Sequence, residues 1–155
     1  MKNNFLRLLL LMVLFVYTSF IAAKSYASTD PDQSVFKKMS LTSAKELANS
    51  EGKNIFLEFY ASWCVPCKWM EETTLADSEV QNELMQNYIP LRIDIDDFDG
   101  FAIKEFYDIK VLPTILVLDS DGNTLERKEQ SLSAPMLLDI LKSQPGSLKI
   151  AEVNQ

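Results

Sequence analysis

Cys64 and Cys67 are the only thiols in this chain, and they stand two residues apart in the stretch LEFYASWCVPCKWM. Such a pair can do one of three things. As a structural staple it closes a very short loop, worth about 2 kcal/mol by chain entropy against about 4.7 kcal/mol for a 100-residue loop. As a metal site it is half of a tetrahedral set, and the sequence has no histidine or further cysteine to complete it. As a redox centre it has the spacing that the chemistry needs. One thiolate attacks a disulfide, and the other must reach the mixed disulfide and release it. The spacing favours the redox reading. The absence of histidine also excludes Ser-His-Asp triads and Cys-His nucleophilic pairs.

Activation comes from position. Cys64 falls where a strand hands over to a helix, so unpaired amides and the positive dipole end favour its thiolate. A free cysteine ionises near pKa 8.5, and lowering this to about 7 makes half of it reactive at neutral pH. Pro66 suits the first helical turn, where no amide donor is required. Lys68 either adds positive charge or is a solvated helix residue. Glu58 is a lone carboxylate in the apolar run NIFLEFY. A buried acid is costly unless paired or protonated, and burial raises its pKa. Two readings of Glu58 follow: a proton partner for Cys67, or a structural acid that reaches solvent or is satisfied by Arg92.

These residues must be held by an alternating set of elements. VFKKM reads as a short edge strand, and SLTSAKELANSEGK as a helix with Ser43 as N-cap, Glu46 three residues on, and Gly52 at its end. Asn54–Tyr60 reads as a strand buried on both faces. A helix runs from the cysteines through CKWMEE, and a second begins at Asp77 or Ser78 and ends near Gln86. Tyr88–Asp96 reads as a strand, and Phe101, Ile103, Phe106 and Tyr107 as one apolar helix face. VLPTILVLD is a strand, Asp121-Gly122 marks a hairpin, and TLERKEQ is its partner. A last helix carries Pro135 near its start and buries Leu137, Leu138, Ile140 and Leu141. The order β-α-β-α-β-α-β-β-α implies an α/β fold: a largely parallel sheet covered on both faces and finished by an antiparallel hairpin.

The N-terminus reads as an export signal. Lys2 and Arg7 precede the apolar run Leu8–Ala23, and Ser25 and Ala27 suit a cut after Ala27. Residues 1–27 are thus a signal peptide or an uncleaved anchor, 28–34 a flexible lead-in, 35–143 the folded domain, and 144–155 a C-terminal tail. The expected location is extracytoplasmic, periplasmic or membrane-anchored, with membrane contact only through residues 1–27. The formal charge is −7. Loss of the signal would remove only basic residues, so nucleic acid is an unsuitable partner.

FLEFYASWCVPCK followed by VLPT resembles the thioredoxin superfamily, over roughly Val35 to Lys142. Within it the chain is similar to the exported branch that includes the C-terminal domain of DsbD and the TlpA-like reductases. The resemblance implies a thioredoxin fold with a central mixed sheet and helices on both faces. It implies Cys64 as the exposed attacking thiol, Cys67 as the buried resolving one, and Glu58 as the buried acid beneath them. It makes Trp63 the aromatic beside the disulfide and Pro113 a cis-proline facing it. Leu112 would offer backbone groups to an extended substrate. Arg92 aligns with a lysine that pairs with the buried acid in some members.

Other features carry less. DIDDFDG (Asp94–Gly100) is acidic but fails the EF-hand spacing, since position five is Phe98 and position six is Asp99. It reads as a solvated loop that caps the next helix. Trp69 and Met70 read as helix packing. The expected activity is reduction of protein disulfides through Cys64 and Cys67, with no cofactor, no metal, and electrons from a donor redox protein, free or membrane-bound. The alternatives are a disulfide oxidase or isomerase, and a copper-chaperone-like module with Met70 as an extra soft ligand.

Overall fold

The computed structural model describes residues 35–144. The expected signal, lead-in and nearly all of the C-terminal tail lie outside the described residues. Among those described are five helices and four strands. They are α1 (Leu41–Glu51), β1 (Asn54–Tyr60), α2 (Val65–Glu72), α3 (Ser78–Asn87), β2 (Tyr88–Asp94), α4 (Phe98–Phe106), β3 (Thr114–Leu118), β4 (Thr124–Lys128) and α5 (Ala134–Ser143). The sheet order is β2-β1-β3-β4. β1 pairs parallel with β2 and antiparallel with β3, and β3 pairs antiparallel with β4. The sheet is therefore mixed, and only its β1–β2 pair is parallel.

β1 is interior, which explains its unbroken apolar run. Ile55, Leu57 and Phe59 join one core with Ala44 and Ala48 of α1. Phe56, on the opposite face, joins a second core with Met70, Val80, Leu84 and Leu137 from α2, α3 and α5. Alternation along the strand puts Glu58 and Tyr60 on the same face as Phe56. α5 buries Leu137 and Leu141, with Leu138 and Ile140 partly buried against the same core. Its far end is tied down: the Tyr88 hydroxyl donates to the carbonyls of Leu141 and Gln144 at 2.6 and 2.8 Å, and Asn54 Nδ2 donates to the Gln144 carbonyl at 3.1 Å.

Local chemistry moves several boundaries. VFKKM forms no strand: Lys37 donates to the Pro90 carbonyl at 2.8 Å, but Pro90 has no amide with which to extend the ladder. The N-cap of α1 is Ser40, whose side chain accepts from the Ser43 amide, and Gly52 closes the helix in the left-handed region at φ 62°. Asp77 caps α3 by accepting from the amides of Glu79 and Val80.

In α4 the expected apolar face divides. Ile103 and Tyr107 pack on the core, whereas Phe101 and Phe106 are exposed. Positions 101 and 103 lie about 200° apart on a helix, so they cannot share a face. Gly100 lets α4 approach β2, because a Cβ there would collide with the Asp94 carbonyl. Gly100→Ala should cost about 1–3 kcal/mol through this overpacking, read as a lower urea midpoint with an unchanged slope.

Candidate functional site

β1 ends at Tyr60, and a tight turn delivers the chain to α2, with the Cys64 amide donating to the Ala61 carbonyl at 3.1 Å. Cys64 is the N-cap of α2, extended at φ −80° and ψ 100°. Its sulfur accepts from the Cys67 amide at 3.2 Å. Pro66 lies in the first turn and lacks an amide, so it removes one donor that the helix start would otherwise leave unpaired. Cys64 and Cys67 form a disulfide with Cα atoms 5.3 Å apart. Both are buried in this form, at 5% and 1% exposure. What separates them is access: Cys64 lines a surface groove and Cys67 does not, although both belong to one apolar cluster with Ala61, Ile95 and Leu112.

The groove has a volume of about 760 Å³ and brings Trp63, Cys64, Pro66 and Leu112 together. Trp63 is 65% exposed, so it is not a core aromatic. Its indole N–H donates to Asp96 Oδ2 at 2.8 Å, and the Asp96 amide donates to Asp94 Oδ1 at 3.0 Å. Part of the acidic DIDDFDG loop thus holds the aromatic beside the disulfide. Asp97 stands at the N-cap of α4 but makes no side-chain cap bond.

The opposite wall is the segment before β3. The Leu112–Pro113 peptide bond is cis, and Leu112 packs against the cysteine cluster. This segment is held from both sides. Arg127 of β4 donates to the carbonyls of Tyr107 and Asp108 at 2.8 and 3.0 Å, beside Asp108 in the left-handed region at φ 51°. The Thr114 hydroxyl donates to the Val111 carbonyl at 2.7 Å.

Glu58 is fully buried and stands apart from the groove lining. Its backbone partner across the parallel pair is Arg92. Arg92 Nε donates to Glu58 Oε2 at 2.6 Å, and Arg92 Nη1 donates to Glu71 Oε1 at 2.8 Å. The guanidinium lies 4.1 Å from the Tyr60 ring centroid and 5.6 Å from that of Phe36. Among the described residues, the second oxygen of Glu58 has no hydrogen-bond partner. Burial pushes the Glu58 carboxyl up to about 7, although the Arg92 charge pulls it down. Desolvation also opposes charge on Arg92, but its two carboxylates outweigh this and raise its pKa.

Met70 is fully buried, and its sulfur accepts from the Leu132 amide at 3.4 Å, so it is not presented to the cysteines as a soft ligand. Among the described residues, no three His, Cys, Asp or Glu side chains converge as a metal cluster. Lys68 is exposed and faces Glu72 at 3.9 Å. Sequence reasoning missed Asp96, Arg127 and Glu71. No local pattern marks the first two. Glu71 was findable, because it follows Cys67 by four residues and so shares its helix face.

A model of the thioredoxin-like family matches residues 36–120, more than half of the chain. The thiol:disulfide interchange protein DsbD of Colwellia psychrerythraea is 38% identical over 84 residues, covering 52% of this chain and 14% of that protein. DsbD of Yersinia pestis is 35% identical over 107 residues, covering 66% of this chain and 18% of that one. The chain thus spans less than a fifth of the length of these two curated relatives. Among solved structures, the reduced C-terminal domain of Neisseria meningitidis DsbD superposes with a TM-score of 0.55 at 25% identity, covering 66% of this chain and 92% of that domain. This chain belongs to the thioredoxin-like family. At its centre it carries the Cys64–Cys67 disulfide in Cys-x-x-Cys spacing.

The raised acid gives a test with a fixed sign. Unfolded, Glu58 ionises near 4.5; folded, it holds its proton to about 7. Stability should be highest below pH 4.5 on this account and fall as pH rises towards 7, by on the order of 3 kcal/mol. Urea titrations of the oxidised protein should show this fall, and Glu58→Gln should flatten it.

Proposed function

We propose that this chain is an exported reductase of protein disulfides that works through a Cys64–Cys67 dithiol and is recharged by a donor redox protein. The observation that carries the reading is the asymmetry of the pair: Cys64 lines a groove and Cys67, at 1% exposure, does not. The Cys64 thiolate attacks one sulfur of the substrate disulfide, and the other substrate sulfur leaves as a thiolate. Cys67, deprotonated, then attacks Cys64 Sγ and expels the second substrate sulfur. The substrate gains two electrons and two protons, and Cys64–Cys67 becomes a disulfide. A dithiol on the donor protein restores the pair by the same exchange in reverse. No step requires a cofactor.

In this reading Glu58 takes the Cys67 proton for the resolving attack, its unpartnered oxygen being free to receive it. Trp63, Pro66 and Leu112 line the groove that holds the substrate strand, and the cis Pro113, buried and outside that lining, sets the course of the chain after Leu112. The reducing direction follows the likeness to the exported reductases of this fold. In the disulfide form, the Cys64 sulfur accepts from the Cys67 amide. Strong oxidants of this fold are those whose reduced form is specially stabilised. Export rests on Lys2, Arg7 and the apolar run Leu8–Ala23. Among the described residues, no helix is long and apolar enough to cross a membrane.

Two measurements test this reading. Cys67→Ser should accumulate a mixed disulfide through Cys64, visible by mass, while Cys64→Ser should trap nothing and reduce nothing. Retained insulin reduction in both variants would sink the dithiol mechanism. The Cys64–Cys67 potential should lie towards the thioredoxin end, about −270 mV, and a value near −120 mV would make the protein an oxidase instead.

A further inference from the structure

The charged side chains lining the groove beside Cys64 are opposite in sign to the chain's net charge. The protein is acidic, with a formal charge of −7. Yet the charged side chains lining the groove are Lys104 and Lys110, and no carboxylate lines it among the described residues. The rest of that lining is apolar apart from Cys64, and Val65 and Val111 are exposed at its rim.

The two lysines come from different elements. Lys104 rises from α4, with its ammonium 5.3 Å from the Phe101 ring centroid, so the apolar surface continues past the groove onto that helix. Lys110 belongs to the segment pinned by Arg127. Glu105 and Asp108 meet these lysines at 3.3 and 2.6 Å, but from outside the groove lining. Asp96, nearby, is engaged by the Trp63 indole. Lys104 is half-buried and Lys110 exposed, and surface ion pairs of this kind are weak and exchange for an incoming carboxylate.

We infer that the groove selects a protein segment that carries carboxylates within a few residues of its disulfide, with Lys104 and Lys110 receiving them and Trp63, Val65 and Val111 covering its apolar side chains. This rests on the reductase reading of the same site and names its substrate class. The sign is informative, because the protein's net charge favours the opposite choice. At about 0.1 M salt the Debye length is about 10 Å, so the distant acids are screened while a carboxylate in the groove still meets the lysines.

The test uses the reduced full chain and two short cyclic peptides with the same intramolecular disulfide. One has glutamates flanking both cysteines, the other lysines, and a neutral small disulfide serves as reference. At about 0.1 M salt the glutamate peptide should be reduced roughly fivefold faster, with the ratio falling towards one near 1 M salt. In the double variant Lys104→Glu, Lys110→Glu the ratio should invert. The ratio is read within each protein, so a general loss of rate cancels. Equal rates, or faster reduction of the lysine peptide by the unaltered chain, overturn the inference while reduction of the neutral disulfide leaves the reductase reading standing. A ratio unchanged by the double variant also overturns it. If none of the three disulfides is reduced, both fall.

Discussion

Everything at the reactive end depends on the register between β1 and β2. Glu58 stands in the interior strand of the sheet, covered on both faces, where an unpaired carboxylate is costly. The parallel pairing sets Arg92 beside it. A slip of one residue would turn Arg92 to the other face and leave Glu58 alone among apolar side chains. Removing one partner of such a pair typically costs about 3–5 kcal/mol, so this contact opposes misregistration strongly. The same strand leads directly into the turn that presents Cys64, so the register that satisfies the acid also aims the helix start.

The centre lies between two supports of different kinds. On one side is the first turn of α2, rigid because a helix that buries Cys67 and Met70 anchors it. On the other is irregular backbone, which has no ladder of its own. Arg127 and Thr114 supply what a ladder would, fixing carbonyls on either side of Lys110. β4, at the sheet edge and far from the cysteines in sequence, thereby positions the wall that faces them. Trp63 is held in a comparable way by Asp96, so an exposed ring keeps one orientation without being buried.

What could be read from the sequence followed the strength of the local signal. The run NIFLEFY, the cap at Asp77 and the Gly52 stop are set by residue type and by neighbours a few positions away, and they appear where the pattern puts them. VFKKM failed because its fate depended on Pro90, a residue on another element. The face of α4 failed at Phe101 because its helical angle is about 200° from that of Ile103, and at Phe106 because, although about 60° from Ile103, it is the last residue of the helix and is exposed. At the site, the thiol pair and the buried acid were legible from type and spacing. Asp96 and Arg127 were not, since their importance lies in which atoms the fold brings to them. Arg92 was legible only as a possible partner of Glu58; its second grip on Glu71 required the structure.

The ties at Asn54 and Tyr88 have a mechanical consequence. Both residues begin their strands, at the end of the sheet away from Cys64, and both grip the Gln144 carbonyl. A seven-residue strand is about 20 Å long. Tension applied through the chain at Gln144 is therefore taken first by a buried hydroxyl and an amide one strand length from the sulfurs. The load enters the sheet at the base of β1 and β2, and the turn before α2 stays slack. A tether or neighbouring domain joined at that end could pull on the protein without deforming the groove.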